Sequence, residues 1–275
     1  MRIRIIAGKK IVNQFGNSSK LKTLYQSNNL LIQGDSDVQI IKKNNKEHSF
    51  FLGQLIGIRS SIDKLESSEI NNIKSQNYLS NHSIEQCVNL LEGRFILLQI
   101  NNGDKFEVSC DLFNQIDLYY QNFKEGVILA SDLDLLPFKN ESIKYDQASL
   151  IHTLYIYGFR PPKKHTLYKN VHRLGVGEIG IWNGLNFKIN KINPYIFNIR
   201  DYQKDDLTRY ADILLDAIDK RSSSQGNIVY LSSGWDSTAI LACLVKLHGA
   251  KKVRAVIGRM NFSERSGICN PFEIQ

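Results

Sequence analysis

A short apolar run, Ile228-Val229-Tyr230-Leu231, feeds directly into Ser232-Ser233-Gly234-Trp235-Asp236-Ser237, and the chain continues as Thr238-Ala239-Ile240-Leu241-Ala242-Cys243-Leu244-Val245. The first run suits a buried parallel strand, and the last a helix that stops near Gly249. A loop of small residues between strand and helix can bind phosphate, because a helix N-terminus presents unpaired N–H groups and partial positive charge. Ser232, Ser233 and Ser237 add hydroxyl donors, Gly234 permits a tight turn, and Asp236 stands at the loop-helix junction. The Asp236 carboxylate could accept backbone N–H bonds or assist a metal ion beside the phosphates. An ordinary Ser/Gly loop capped by Asp or Ser fits the same spacing. Neither GxGxxG nor GxxxxGKS is present, which argues against a dinucleotide-binding or Walker-type site. Val253-Arg254-Ala255-Val256-Ile257 reads as a second strand, completing a β-loop-α-β unit.

The elements that must position this loop begin with a helix, in which Leu207, Tyr210, Ala211, Leu214, Ala217 and Ile218 recur at helical spacing. Upstream, residues 1 to about 140 alternate short β-like runs with polar turns, as in Phe50 to Ile58 and Arg94 to Ile100. Asn101-Asn102-Gly103-Asp104 predicts a hairpin turn leading into a strand from Lys105 to Ser109, since Asn and Gly tolerate positive φ. A further strand pair, Asp117 to Gln121 and Val127 to Ala130, brackets Asn122 to Gly126. This half therefore reads as an antiparallel, sheet-rich domain. The polar stretch from Ser60 to Gln76 reads as a surface loop, Asp146 to Tyr157 as a helix, and Val171 to Trp182 as containing a short β segment. The pattern fades around Asn193-Pro194 to Arg200. The expected organisation is a first domain over 1–192, a linker over 193–204 and an α/β domain over 205–275.

Composition narrows the function classes. With 42% hydrophobic and 23% charged residues, the chain has the balance of a folded globular protein. No apolar run approaches the roughly 20 residues of a membrane-spanning helix, and the N-terminal hydrophobic segment is too short for a signal peptide, so a cytoplasmic location is expected. The net charge of +8 is dispersed in small groups such as Lys42-Lys43 and Lys163-Lys164, which argues against a specific nucleic-acid surface. The cysteines Cys87, Cys110, Cys243 and Cys269 show no CxxC spacing and read as reduced structural thiols. His165 and His172 lack metal-ligand spacing.

Leu231-Ser232-Ser233-Gly234-Trp235-Asp236-Ser237 resembles the Leu-Ser-Gly-Gly-x-Asp-Ser pyrophosphate loop of ATP pyrophosphatases, specifically the asparagine synthetase family. Ser233 departs from that pattern, placing a Cβ where the family usually has Gly. The resemblance extends upstream. Leu91 to Leu97 is similar to the family's Gly-x-Phe strand. Cys110 to Tyr120 is similar to its Arg-Asp-x-x-Gly-x-x-Pro-Leu-Tyr-Tyr segment, Leu129 to Leu133 to its Ala-Ser-Glu turn, and Thr166 to Glu178 to its Thr-Leu-Phe stretch. Together these cover about residues 85 to 275.

The resemblance implies an α+β N-terminal-nucleophile amidotransferase-like sandwich, followed by the first β-loop-α-β unit of an α/β ATP pyrophosphatase (adenine nucleotide α-hydrolase-like) domain. It implies ATP and Mg²⁺ as cofactors and a small-molecule carboxylate as substrate. The carboxylate would be activated as an acyl-adenylate and attacked by ammonia or an amine, as in asparagine biosynthesis. Ser232, Ser233, Gly234, Asp236 and Ser237 would hold the pyrophosphate end, with Leu231 and Ile257 beside the adenosine. No residue is given a covalent catalytic role. The family's glutaminase relies on a first mature Cys, whereas this chain begins Met1-Arg2 and has no Cys before Cys87. Its Asn-Gly-Glu and Gly-Ser-Asp segments are missing as well, so no glutaminase activity is expected. Ser263 to Ile274 is similar to the loop before the family's next helix, so the sequence reads as an N-terminal fragment, with a second chain as a candidate partner. The alternatives are a non-catalytic remnant or binding subunit of a split enzyme, and an amide-forming cyclase.

Overall fold

A computed structural model describes residues 2–17, 21–42, 47–61, 64–66, 79, 81–101, 104–137, 144–157, 164–192, 201, 203–232 and 234–258. The chain divides into two compact units, Met1–Ile196 and Phe197–Gln275.

In the first unit, strongly apolar runs form strands buried on both faces. The strand β1 (Ile3–Ala7) sends Ile3, Ile5 and Ala7 to one side and Arg4 and Ile6 to the other, as the two-residue period of a strand requires. Around it lie β2 (Lys22–Gln26), β3 (Leu30–Gly34), β9 (Tyr119–Phe123), β10 (Gly126–Ala130) and β11 (Val171–Arg173). They form an antiparallel sheet in the order β11-β9-β10-β1-β3-β2. A second antiparallel sheet contains β4 (Val38–Lys42), β5 (His48–Ser61), β7 (Leu91–Asn101), β8 (Lys105–Cys110), β12 (Glu178–Trp182) and β13 (Phe187–Lys191). Its order is β13-β12-β8-β7-β5-β4, and β6 (Lys64–Glu66) pairs with β5.

The sheets pack face to face over Ile3, Ile5, Leu30, Ile32, Phe50, Leu52, Ile96, Leu98, Phe106 and Trp182. Each outer face carries a helix. Ile11, Val12 and Phe15 of α1 (Lys9–Phe15) cover Ile6, Leu31 and Ile128. Ile84, Cys87 and Val88 of α2 (Ile84–Leu90) cover Phe51, Phe95 and Leu97. The unit is therefore a four-layered α/β/β/α sandwich, in agreement with the expected antiparallel α+β sandwich.

Three expectations need correction or extension. The stretch from Ser60 to Gln76 is not all loop: β5 runs to Ser61, and β6 pairs with it through Ile58↔Glu66 and Arg59↔Leu65. Polar composition misled there, because pairing to a neighbouring strand satisfies backbone groups whatever the side chains. The remainder of that stretch lies outside the described residues. The helix expected from Asp146 is α3 (Gln147–Ile151), capped by Asp146 accepting the Ser149 N–H at 2.7 Å, and it continues as a π-helix over His152–Tyr157. The hairpin β12-β13, turning at Asn183-Gly184-Leu185-Asn186, was not anticipated. At the anticipated hairpin, Asn101 pairs with Lys105 and Asp104 has φ 60, while Asn102 and Gly103 lie outside the described residues.

The second unit contains α4 (Lys204–Asp219), β14 (Asn227–Leu231), α5 (Trp235–His248) and β15 (Val253–Ile257). The strands are parallel, in register from Asn227↔Val253 to Leu231↔Ile257, with α5 as the crossover. Gly249, at φ 80, ends α5 and donates its N–H to Val245 O at 2.9 Å, a backbone conformation that disfavours a side chain. The helices α4 and α5 pack together, and Ser222 Oγ meets His248 Nε2 at 2.7 Å. The strand at 228–231 is not buried as expected: Ile228 is 64% and Tyr230 79% exposed, and Val229 alone of that strand is buried. The helix α5 lies against both strands and α4 packs on α5, and no further layer covers the sheet's other face among the described residues.

Candidate functional site

Leu231, Ser232, Gly234, Asp236 and Ser237 come together where β14 meets α5, and Ser233 lies outside the described residues. Ile257 joins them from the neighbouring strand, because the register pairs it with Leu231. Both residues therefore sit at the carboxyl ends of parallel strands, the position at which open α/β sheets bind ligands.

Hydroxyl bonds draw the loop closed. Ser237 Oγ accepts from the Ser232 N–H at 3.1 Å and lies 3.0 Å from Ser232 Oγ. It is also within donating distance, 3.2 Å, of both Ser232 O and Gly234 O. The Gly234 N–H donates to Ser232 Oγ at 3.2 Å, and a Cβ on Gly234 would stand 3.3 Å from that oxygen. Gly234 occupies the N-cap of α5 without a side-chain cap, so the opening N–H groups of a 14-residue helix are left to solvent or to a ligand. Asp236 is exposed in the first turn. Small residues, an uncapped helix end and an exposed carboxylate suit a phosphate group with a bound cation.

Other groups capable of chemistry sort differently. Cys87 and Cys110 are buried; burial pushes the Cys87 thiol up to about 12, and burial with Asp111 and Asp117 raises Cys110 further from reactivity. Cys269 lies outside the described residues. The rings of His165 and His172 are 6.5 Å apart, and no group of three metal-ligating side chains occurs among the described residues. Burial, then His165, lowers the His172 pKa.

Among the cavities lined by described residues of the first unit, two are roomy enough for a small molecule. One, of about 480 Å³, is lined by Arg94, Asp117, Tyr119, Ser131, Asp132 and Asp134. Arg2 pairs with Asp132 at 3.0 Å and with Asp134 beside it. The other, of about 810 Å³, includes Asn114, Lys164, Arg173, Glu178 and Lys191. Sequence reasoning missed this second group, whose members are distant in the chain and form no motif. A partial signal existed at Asn114, which stands where the resembled segment has Gly and adopts φ 53. The loop is set by buried Asp111, whose carboxylate accepts the N–H of Phe113 at 3.2 Å and of Gln115 at 3.0 Å.

No family model matches this sequence, and no curated protein does. Among solved structures, the chain is similar to a glutamine phosphoribosylpyrophosphate (PRPP) amidotransferase from B. subtilis complexed with ADP and GMP, at 12% identity and a TM-score of 0.35. It is similar at the same identity and TM-score to a structure of the allosteric regulatory enzyme of purine biosynthesis. These alignments cover 98% of this chain but only 64% and 62% of those chains, so it spans less than two thirds of either. A likeness of that size carries no argument about fold or activity. No helix among the described residues is long and apolar enough to cross a membrane.

Proposed function

We propose that the loop between β14 and α5 holds the pyrophosphate end of ATP in an asparagine synthetase-like, amide-forming ligase. The observation that carries this reading is the closure of Ser232 and Ser237 across an uncapped helix N-terminus, with Ile257 registered beside Leu231. That arrangement accompanies the Leu231 to Ser237 resemblance. Ser232, Ser233, Gly234 and Ser237 would donate to phosphate oxygens, Asp236 would hold Mg²⁺, and Leu231 and Ile257 would flank the adenosine. Bound ATP would supply the energy to activate a carboxylate for attack by ammonia or an amine. These residues position and neutralise the leaving group by electrostatics, which needs no covalent protein intermediate.

The sandwich unit, in this reading, is amidotransferase-like without glutaminase chemistry: the inaccessible Cys87 and Cys110 are unsuited to the nucleophile's role. A cytoplasmic setting suits the same reading. The exposed face at Ile228 and Tyr230 favours a partner chain that adds a layer to the ATP-binding unit, the arrangement of a split enzyme.

The test is ATP·Mg²⁺ binding by calorimetry to the chain and to Ser237→Ala and Asp236→Asn. Each variant should weaken binding about tenfold, the loss of roughly one charge-assisted or network hydrogen bond. Unchanged affinity in both would sink the assignment.

A further inference from the structure

His165 and His172 have no metal-binding spacing along the chain, yet the fold sets them face to face in an antiparallel bridge. Beside them the Arg173 N–H donates to Lys164 O at 2.8 Å. A hydrogen bond one residue outside the pair marks it as non-hydrogen-bonded, the kind of pair that brings facing side chains closest. The two imidazole centres are 6.5 Å apart, and Tyr120, paired with His172 from β9, holds that ring from its other side at 5.5 Å. His165 is exposed and His172 half-buried. Lys164 and Arg173, one residue along each arm, turn to the opposite face, where Glu178 and Asp117 take their charges. Asp146 supplies negative charge nearby: hydrogen bonding from Ser149, then the imidazoles of His165 and His172, holds its carboxyl below the usual range.

Two imidazoles on one face of a bridge offer two nitrogen lone pairs to a single ion, and nitrogen donors suit zinc and its neighbours rather than magnesium or calcium. Burial, then His165, lowers the His172 pKa, so that ring has its lone pair available at neutral pH. Zinc–nitrogen bonds of about 2.0–2.1 Å put two ring centres roughly 5–6 Å apart, which the exposed His165 reaches by a small turn of its ring. We infer that His165 and His172 chelate one zinc-type divalent ion, with the Asp146 carboxylate favouring the cation. No group of three metal-ligating side chains occurs among the described residues, so the site is open and water completes the shell. The ion pins the two arms of the 165–172 arch, whose turn pairs through Tyr168 with Tyr145, just before α3. The inference does not depend on the ATP reading, which concerns the other unit.

The experiment titrates the full chain with Zn²⁺ alone by calorimetry, with Mg²⁺ as the oxygen-seeking comparison. One zinc ion should bind with a Kd on the order of 10 µM, because two protein ligands supply about half of what a closed four-ligand zinc site does. Magnesium should not compete for it. His165→Gln and His172→Gln should each weaken zinc at least about tenfold, and His248→Gln, in the other unit, should leave it unchanged. His165 is exposed, so its variant is expected to fold, and circular dichroism checks both. Zinc should also raise the melting temperature of the parent chain and not that of His165→Gln. Absence of saturable zinc binding overturns the inference. So does binding that survives both variants, that is lost with His248→Gln instead, or that magnesium displaces.

Discussion

At the scale of single residues, burial decides reactivity. Cys87 stands on the sheet-facing side of α2, with its thiol raised to about 12 from an ordinary 9.0. Below about pH 9 the thiol is protonated in both folded and unfolded chains and adds nothing to pH dependence. Between 9 and 12 the unfolded thiol releases its proton while the folded one keeps it, so stability falls as pH rises through that window. Thiol-reactive reagents at about pH 8 should therefore leave Cys87 and Cys110 unmodified in the folded chain and label both in urea, as peptide mass mapping would show. Rapid native labelling of either would contradict its burial. Glu178 presents the opposite case, a charge kept inside by its partners. Glu178→Gln sets an amide donor against Lys164 or the Gly175 N–H, and should cost about 1–3 kcal/mol. Lys164, at 52% exposure, can rehydrate, which keeps the loss toward the lower end. Urea titration measures it, and an unchanged midpoint would show the pair to be dispensable.

At the scale of elements, helix ends and strand pairing set the local geometry. The helix α2 opens with a capping box, in which Ser83 Oγ accepts the Gln86 N–H at 3.3 Å and Gln86 Oε1 accepts the Ser83 N–H at 3.0 Å. Ser83→Ala should lower stability by about 1 kcal/mol, read as a shift in the denaturation midpoint at constant slope. The contrast with α5 is informative. Its N-terminus carries no side-chain cap, and a helix lacking that stabilisation retains donors for something else. The strand β13 escaped the sequence reading because Phe187 to Lys191 mixes lysines and asparagine with its apolar residues. The Asn183-Gly184 turn that precedes it was the available sign, since such a pair favours a tight hairpin.

Across the whole molecule, the two units differ in how much they bury. The sandwich has three clusters of buried residues, whereas Val229 and Leu244 are the buried hydrophobic side chains described in the second unit. Hydrogen exchange followed by mass spectrometry should accordingly find amides of β1, β3 and β10 protected far longer than those of β14 and β15. Equal protection would mean that the second unit is held by more than its own core. ATP·Mg²⁺, on the proposed reading, should slow exchange selectively around residues 231–238, by mass action on the folded form.

The sequence by itself determined the strand-loop-helix-strand order at 228–257 and the apolar runs of strands such as β7 and β10. These follow from local rules: a period of two fixes which face a side chain takes, and small residues at a helix start fix where its donors are free. Only the tertiary structure decided which charges meet. Nothing near Lys164 in the chain names Glu178 as its partner, and nothing near Lys191 places it across from the same Glu178; the fold brings these residues to one cavity. The same holds for burial. Ile228 to Leu231 has the composition of a covered strand, but covering it takes a second layer, and composition alone cannot supply the residues that would form one.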